Sequence, residues 1–391
     1  SGSMEGSKIS SLRTAASNLV NTLFTATANS TVPANAGPPL QIALVPFAAS
    51  VKVGTNYRDA SWMDTGARSP IHSEDFESWR RSNGQMSSIS RFDLYDAMTR
   101  VDWAGCVDSR PAPYDVTDDV PTTAQPATLF IPNFEPDEPD YEGYPVGTGS
   151  SRDNTYANSY LPDNPIACSG VDETTRSTSS TATNGQPRAQ ARTCKYYTTS
   201  SIPSGSGPNK NCTTAALTPL ATSQSTILSR ISAMQANGMT NIAEGVMWGW
   251  RVLSPTEPFT QGRAYTLPIG TPQNNKFMIV MTDGDNTYTT YDNINNSMHG
   301  TFGFLSKGRL GSTYNYVSRM NEKTAAACEN AKLAGIKIYT IAFQISNSTT
   351  RQMLIDCATD PTMAYRSDTN SQLIAAFQQI AQEMSKLRIA E

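Results

Sequence analysis

The first apolar positions of the chain recur with the period of a helix. In KISSLRTAASNLVNTLF, Ile9, Leu12, Ala16, Leu19 and Leu23 fall on one stripe. A Pro/Gly-containing loop follows, and then LQIALVPFA, where Leu40, Ile42, Leu44 and Val45 form a near-continuous apolar run. A run of that kind predicts a strand buried on both faces. A helix followed by such a strand is the grammar of an α/β protein with a parallel sheet.

That grammar stops near residue 60. From there to about residue 222 the chain is polar and rich in Pro, Ser, Thr, Asp and Asn. STSSTATNGQ is of low complexity. FDLYDAMTRVDWAGCVDSR and ATLFIPNF nevertheless carry side chains worth burying. The segment reads as an inserted subdomain with little regular structure.

The α/β pattern resumes at STILSRISAMQANG, with Ile227, Ile231 and Met234 on one stripe and Gly238 as a helix stop. TNIAEGVMWGWRVLS is a second helix, opened by a capping box of Asn241 and Glu244. Its Trp248 and Trp250 lie two apart and so face different sides, one into the core and the other under the insert. NKFMIVMTDG is a buried strand ending in a turn. A polar stretch, 286–313, precedes a helix over about 316–334. Then come the strand IKIYTIAFQI, a short helix at RQMLIDCAT and an edge strand, MAYRSD. The last helix, SQLIAAFQQIAQEMSKL, has its stripe at Leu373, Phe377, Ile380, Met384 and Leu387. Three segments result: 1–59 and 223–391 are two parts of one α/β domain, and 60–222 is the insert.

Charge excludes one class of partner. Net charge is −4 and no basic block stands out, so a nucleic-acid surface is not expected. The six cysteines are widely spaced, with no CxxC, and the only histidines are His72 and His299. A zinc site is therefore not expected. An even count favours disulfides and an oxidising compartment over buried thiols. Cys328 and Cys357 sit on helices flanking one strand, so a bridge between them is feasible. Cys106, Cys168, Cys194 and Cys212 allow three pairings, which the sequence leaves open.

Three loops carry candidate chemistry. Ser1-Gly2-Ser3 stands before the first helix, Thr240 before another, and Asp283 at the carboxyl end of a buried strand. Singly they read as a linker, a near-cap residue and a turn. Together they lie where open parallel sheets bind ligands, outside the carboxyl ends of the strands. Hydroxyls and a carboxylate there suit a hard divalent cation, Mg²⁺ first, with Ca²⁺ or Mn²⁺ as alternatives. Such a site, poor in carboxylates, can accept an acidic side chain from a partner.

The loops SGSM, MTNIAEG and VMTDG, in this order of elements, resemble the von Willebrand factor A domain with a metal-ion-dependent adhesion site. The resemblance spans roughly 1–50 and 223–391. It matches Ser1 and Ser3 to the two serines of an Asp-x-Ser-x-Ser loop, Thr240 to the second-loop threonine and Asp283 to the third-loop aspartate. It implies a Rossmann-like, mostly parallel sheet with helices on both faces. GSKISSLRTAASNLVNTLF, IALVPFAASVKVG, GMTNIAEGVMWGWRVLSPTEPF, KFMIVMTDGDNTY and AGIKIYTIAFQ further resemble TadE/TadG-like pilus-assembly proteins. That likeness implies a non-catalytic bacterial envelope protein of the Flp (tight-adherence) pilus, periplasmic or at the surface. Its partner would be a pilus or other envelope protein. The family's first-loop aspartate and the central strand before it are absent. Burying several aliphatic side chains of that strand would contribute roughly 1.5–3 kcal/mol each. The expectation is that the natural chain continues upstream, with that strand and a membrane helix.

Other signals are weaker. DGDNTYTTYDN alternates acids but lacks the glycine of an EF-hand loop. FEPDEPDYEG and RDNTYANSYLPDN read as solvated acidic loops. Asn29, Asn211 and Asn295 lie in N-x-Ser/Thr sequons. His72 and His299 sit in polar, loop-like contexts, so no nucleophile–base pair is arguable and an enzyme is not expected. The alternative to a metal-dependent binder is a scaffold for pilus assembly, acting through the insert with the metal site inactive.

Overall fold

The computed structural model describes residues 1–28, 37–77, 79–80, 86–139, 156–163, 185–266 and 274–389. The chain is a mixed α/β protein. Strands β5 (Phe277–Thr282), β6 (Lys337–Phe343) and β7 (Ala364–Ser367) form a parallel sheet in the order β5-β6-β7. Met278 is opposite Ile338, and Ile341 opposite Tyr365. MAYRSD is thus the edge strand expected of it. Strand β1 (Ile42–Leu44) does not join this sheet but pairs antiparallel with β4 (Thr218–Ala221). Among the described residues no strand lies between β1 and β5, and the sheet is in two pieces.

Helices cover both faces. On one, α1 (Ser7–Thr27) packs on α4 (Gln224–Ser232) and α8 (Asn370–Ile389). The predicted stripes meet there: Leu19, Leu23, Ile227, Ile231, Leu373 and Ile380 are buried against Tyr339 and Ile341 of β6. On the other face, α5 (Ile242–Leu253), α6 (Tyr316–Leu333) and α7 (Ser348–Cys357) bury Val246, Trp250, Ala327 and Met353 against Met278, Val280 and Ile338. The expected bridge between Cys328 and Cys357 joins α6 to α7. Helix α4 ends at Ser232, earlier than Gly238, which instead takes φ +79° in the turn leading to Thr240. The capping box at α5 is only half formed. Asn241 Oδ1 accepts from the Glu244 N–H, but the Glu244 carboxylate turns inward to Ser109 Oγ and Trp248 Nε1.

The segment expected to be an insert, 60–222, contains among its described residues a two-stranded hairpin, β2 (Trp79–Arg80) with β3 (Met86–Ser87), and the short helices α2 (Arg91–Ala97) and α3 (Gly185–Ala191). Aromatic packing dominates its interior: Trp62, Phe76, Tyr95, Phe130, Phe134 and Tyr196 are buried together. Many of their rings meet edge to face, as the ring quadrupoles favour. Trp248 of α5 enters this core, whereas Trp250 faces β5. A disulfide links Cys106 to Cys212, and Cys194 is also disulfide-bonded. Cys168 lies outside the described residues.

Two expectations about polar residues are corrected. The described part of FEPDEPDYEG is buried, not solvated. Glu135 accepts from the Asn211 backbone and side chain, Asp137 from Tyr160 N, Leu161 N and Lys195 Nζ, and Glu138 from Asn158 N and Asn295 Nδ2. Burial pushes the Asp137 carboxyl up to about 6, against the pull of Lys195. The physical reason is the irregular backbone, whose buried N–H groups need acceptors that a sheet or helix would have supplied. Asn211 and Asn295 are spent in the same network, and Asn29 lies outside the described residues.

The histidines are likewise buried. His72 Nε2 accepts from the Arg91 backbone N–H at 2.9 Å, and Nδ1 lies 2.9 Å from Asp64. This arrangement requires a neutral ring with its proton on Nδ1. Burial is the main cause lowering the His72 pKa below 6.5. The unfolded chain therefore takes up this proton first, and the stabilisation is present above pH 6.5 and lost as pH falls towards the folded value. His72→Gln keeps an acceptor and a donor but does not titrate. The stability gap between wild type and His72→Gln is expected to narrow from pH 7.5 to pH 5, read by urea unfolding at each pH; a constant gap would contradict it.

Candidate functional site

The candidate residues sit in three loops tied to one another through the backbone. Ser1–Ser3 form the turn before α1, and Gly2 N donates to Gly238 O at 2.9 Å. That bond anchors the first loop to the chain entering the second. Thr240 precedes Asn241, the N-cap of α5. The second loop is tied to the third at both backbone atoms of Thr240: its N–H donates to Thr287 Oγ1 at 2.8 Å, and its carbonyl accepts from Thr287 N at 2.9 Å. Asp283 follows directly on β5.

The four residues converge. Ser3 Oγ donates to Asp283 Oδ1 at 2.6 Å and Ser1 Oγ to the same oxygen at 3.2 Å, while the two hydroxyls lie 2.8 Å apart. Gly284 fills the space between the first and second loops. A Cβ there would lie 3.3 Å from Ser3 Oγ and 3.8 Å from Thr240 Oγ1. Any larger side chain at 284 would therefore project between these hydroxyls.

Lys8, which sequence reasoning did not single out, completes the cluster. It lies in the first turn of α1, and its Nζ donates to Asp283 Oδ2 at 2.9 Å, with the Asp283 side chain fully buried. One carboxylate and three hydroxyls suit a hard cation in kind. Their single negative charge is already neutralised by Lys8. Among the described residues no group of three or more His, Cys, Asp or Glu side chains is placed to hold a metal.

DGDNT, read as a poor calcium loop, has a different use. Asp285 accepts from Asn347 Nδ2 at 3.0 Å and Thr350 Oγ1 at 2.5 Å, joining the third loop to the start of α7. Asn286 Oδ1 accepts from Ile242 N, and its amide donates to Asn321 and Thr324 of α6. These polar side chains hold Asp283 in place by fixing the backbone that follows it. The insert reaches the same region. Asn241 Nδ2 donates to Thr301 Oγ1, Ser109 N donates to Thr301 O, and Arg309 bonds Glu74.

No family model matches the sequence, and no curated protein matches it. Among solved structures the chain is similar to the pilus adhesin SpaC from Lactobacillus rhamnosus GG, at 18% identity and a TM-score of 0.30, over 44% of this chain and 22% of that one. It is also similar to proximal thread matrix protein 1 of the mussel byssus, solved with a zinc-occupied MIDAS motif, at 15% identity and a TM-score of 0.27, over 43% and 33% of the two chains. A third similarity is to the vWF domain of the type V pili tip protein Mfa5 from Porphyromonas gingivalis, at 14% identity and a TM-score of 0.29, over 43% and 74%. The match thus spans about a fifth of the length of the adhesin and a third of the byssus protein.

Proposed function

We propose that this chain is a non-catalytic, extracytoplasmic binding protein of the von Willebrand A type, with a divalent-cation site built from Ser1, Ser3, Thr240 and Asp283. The observation that carries the reading is the convergence of three loops, distant in sequence, around the Asp283 carboxylate. A bound Mg²⁺ would supply a positive centre able to take a partner's carboxylate as a further ligand. Asp283 would give the charge, the hydroxyls would give neutral oxygens, and Lys8 would compete with the cation for Asp283. The disulfides favour an oxidising compartment. Among the described residues no helix is long and apolar enough to cross a membrane. The sequence likeness to TadE/TadG-like proteins makes the Flp pilus the proposed setting, with a pilus or envelope protein as partner.

Calorimetric titration with Mg²⁺ and Mn²⁺ tests the site. Asp283→Asn is expected to abolish measurable binding. Lys8→Met is expected to tighten it by about tenfold, the factor for roughly 1.4 kcal/mol of relieved competition. Binding that survives Asp283→Asn unchanged would sink the metal reading. The scaffold reading draws support from the aromatic core that the insert shares with Trp248 of α5. It predicts partner capture that persists in EDTA, whereas the metal reading predicts its loss.

A further inference from the structure

Among the described residues, the lysine ion pair of Lys195 with Asp137 is set apart by having both side chains fully buried. Lys8, Lys307, Lys323 and Lys332 each keep part of the side chain in solvent. Aromatic rings close the site at 195. The Tyr196 ring centroid lies 5.7 Å from Lys195 Nζ, and Phe76, Phe134 and Tyr160 pack against that ring. Tyr196 also fixes the other partner, because its Oη accepts from Asp137 N at 2.9 Å. An ammonium and a carboxylate shut away from water carry a desolvation cost that their attraction only partly offsets.

The two carboxylate oxygens have different surroundings. Oδ2 accepts from Lys195 Nζ at 2.7 Å. Oδ1 accepts from two consecutive backbone N–H groups, Tyr160 at 2.6 Å and Leu161 at 2.7 Å. Paired, fixed N–H donors on one acyl oxygen are the arrangement that stabilises charge developing there during attack on the carbon. The amine is fixed as well, since Nζ donates to Ala189 O at 2.9 Å and Asp137 O at 3.1 Å. Groups held in contact this way react with effective molarities of about 10⁵–10⁸ M when well oriented. Burial, which pushes the Asp137 carboxyl up to about 6, also readies it to take a proton from the ammonium beside it.

We infer that Lys195 and Asp137 condense into an intramolecular amide. A proton first passes from Nζ to Oδ2, leaving a neutral amine beside a neutral acid. The Nζ lone pair then attacks Cγ, and negative charge gathers on Oδ1 between the N–H groups of Tyr160 and Leu161. The bond from Cγ to Oδ2 breaks. Oδ2 leaves as water, with the proton already transferred and a second one from Nζ. The product is one Nζ–Cγ amide with a single N–H, and no oxidant or reductant takes part. Two buried charges disappear in the step. The amide would tie positions separated by 58 in the sequence. Unlike the disulfide between Cys106 and Cys212, it would resist reductants. The inference is independent of the proposed cation site.

Mass spectrometry of the purified chain tests it, after the folded protein has been reduced and denatured. The intact mass is expected to be lower, by one water, than the sequence requires. A tryptic digest is expected to yield one branched peptide that joins Asp137 to Lys195, with no cleavage after Lys195. The full, unreduced mass overturns the inference and leaves the pair an ordinary buried salt bridge. A deficit of one water with residues 137 and 195 on separate peptides places the loss elsewhere, as in a succinimide, and also overturns it. Lys195→Met is expected to restore the full mass, and a deficit that persists in this variant overturns the assignment. The branched peptide of the wild-type chain decides the matter even if the variant fails to fold.

Discussion

Replacing Cys106 and Cys212 together by alanine is expected to lower the unfolding free energy by about 4 kcal/mol. The bond closes a loop with a sequence separation of 106, and in the chain-entropy model a loop of about 100 residues gives roughly 4.7 kcal/mol. A value near 4 allows for the further bridge at Cys194, which already constrains part of the same loop. Replacing Cys328 and Cys357, separated by 29, is expected to cost about 3.5 kcal/mol by the same relation. Urea unfolding of both double variants under oxidising conditions measures the difference. Equal losses would show that strain or residual structure, rather than loop entropy, sets the stabilisation. Loss of the first bridge should also loosen the insert where it meets the site, because Asn211, beside Cys212, donates to His299 O.

Arg91→Met is expected to cost about 3–5 kcal/mol, the range for breaking a buried ion pair by removing one partner. Arg91 is fully buried. Its Nη1 donates to Asp108 at 2.6 Å and to Pro132 O at 3.1 Å, and its Nε donates to His72 O. Asp75, also fully buried, lies 4.0 Å from Nη2 and is otherwise faced by Lys307 and His299. Removing the guanidinium leaves Asp108, among the described residues, with one neutral donor, Asn133 Nδ2, and takes from Asp75 one of the three basic side chains that face it. Arg91→Met combined with Asp108→Asn removes both charges of the closest pair. The double variant should therefore lose clearly less than the sum of the two single losses, read by urea unfolding. Additive losses would show that the pair is not coupled.

The two predictions bear on the proposed site through one physical link. The insert does not only decorate the α/β domain. Its charged residues hold the segment from His299 to Arg309, and Thr301 in that segment bonds Asn241, the cap of the helix that follows Thr240. Variants that soften the insert should thus weaken the proposed cation binding through loop geometry, whereas Asp283→Asn should remove it at the carboxylate itself.

What was legible in the sequence was periodic. The stripes of α1, α4 and α8 and the apolar runs of β5 and β6 follow from local spacing, because a regular element repeats its buried face at a fixed interval; the bridge from Cys328 to Cys357 was legible only as feasible, from two helices flanking one strand. The sequence also singled out Ser1, Ser3, Thr240 and Asp283 as a set of three short loops, of which only the one at Asp283 directly follows a strand. Only the tertiary structure decided the rest. Burial of Glu135, Asp137 and Glu138 depends on donors from 158–161, 195, 211 and 295, none of which a local pattern reports. Pairing of Cys106 with Cys212 and the salt bridge from Lys8 to Asp283 are likewise contacts between distant segments. Periodicity states which face of an element is buried; what that face meets is set by the packing of the whole chain.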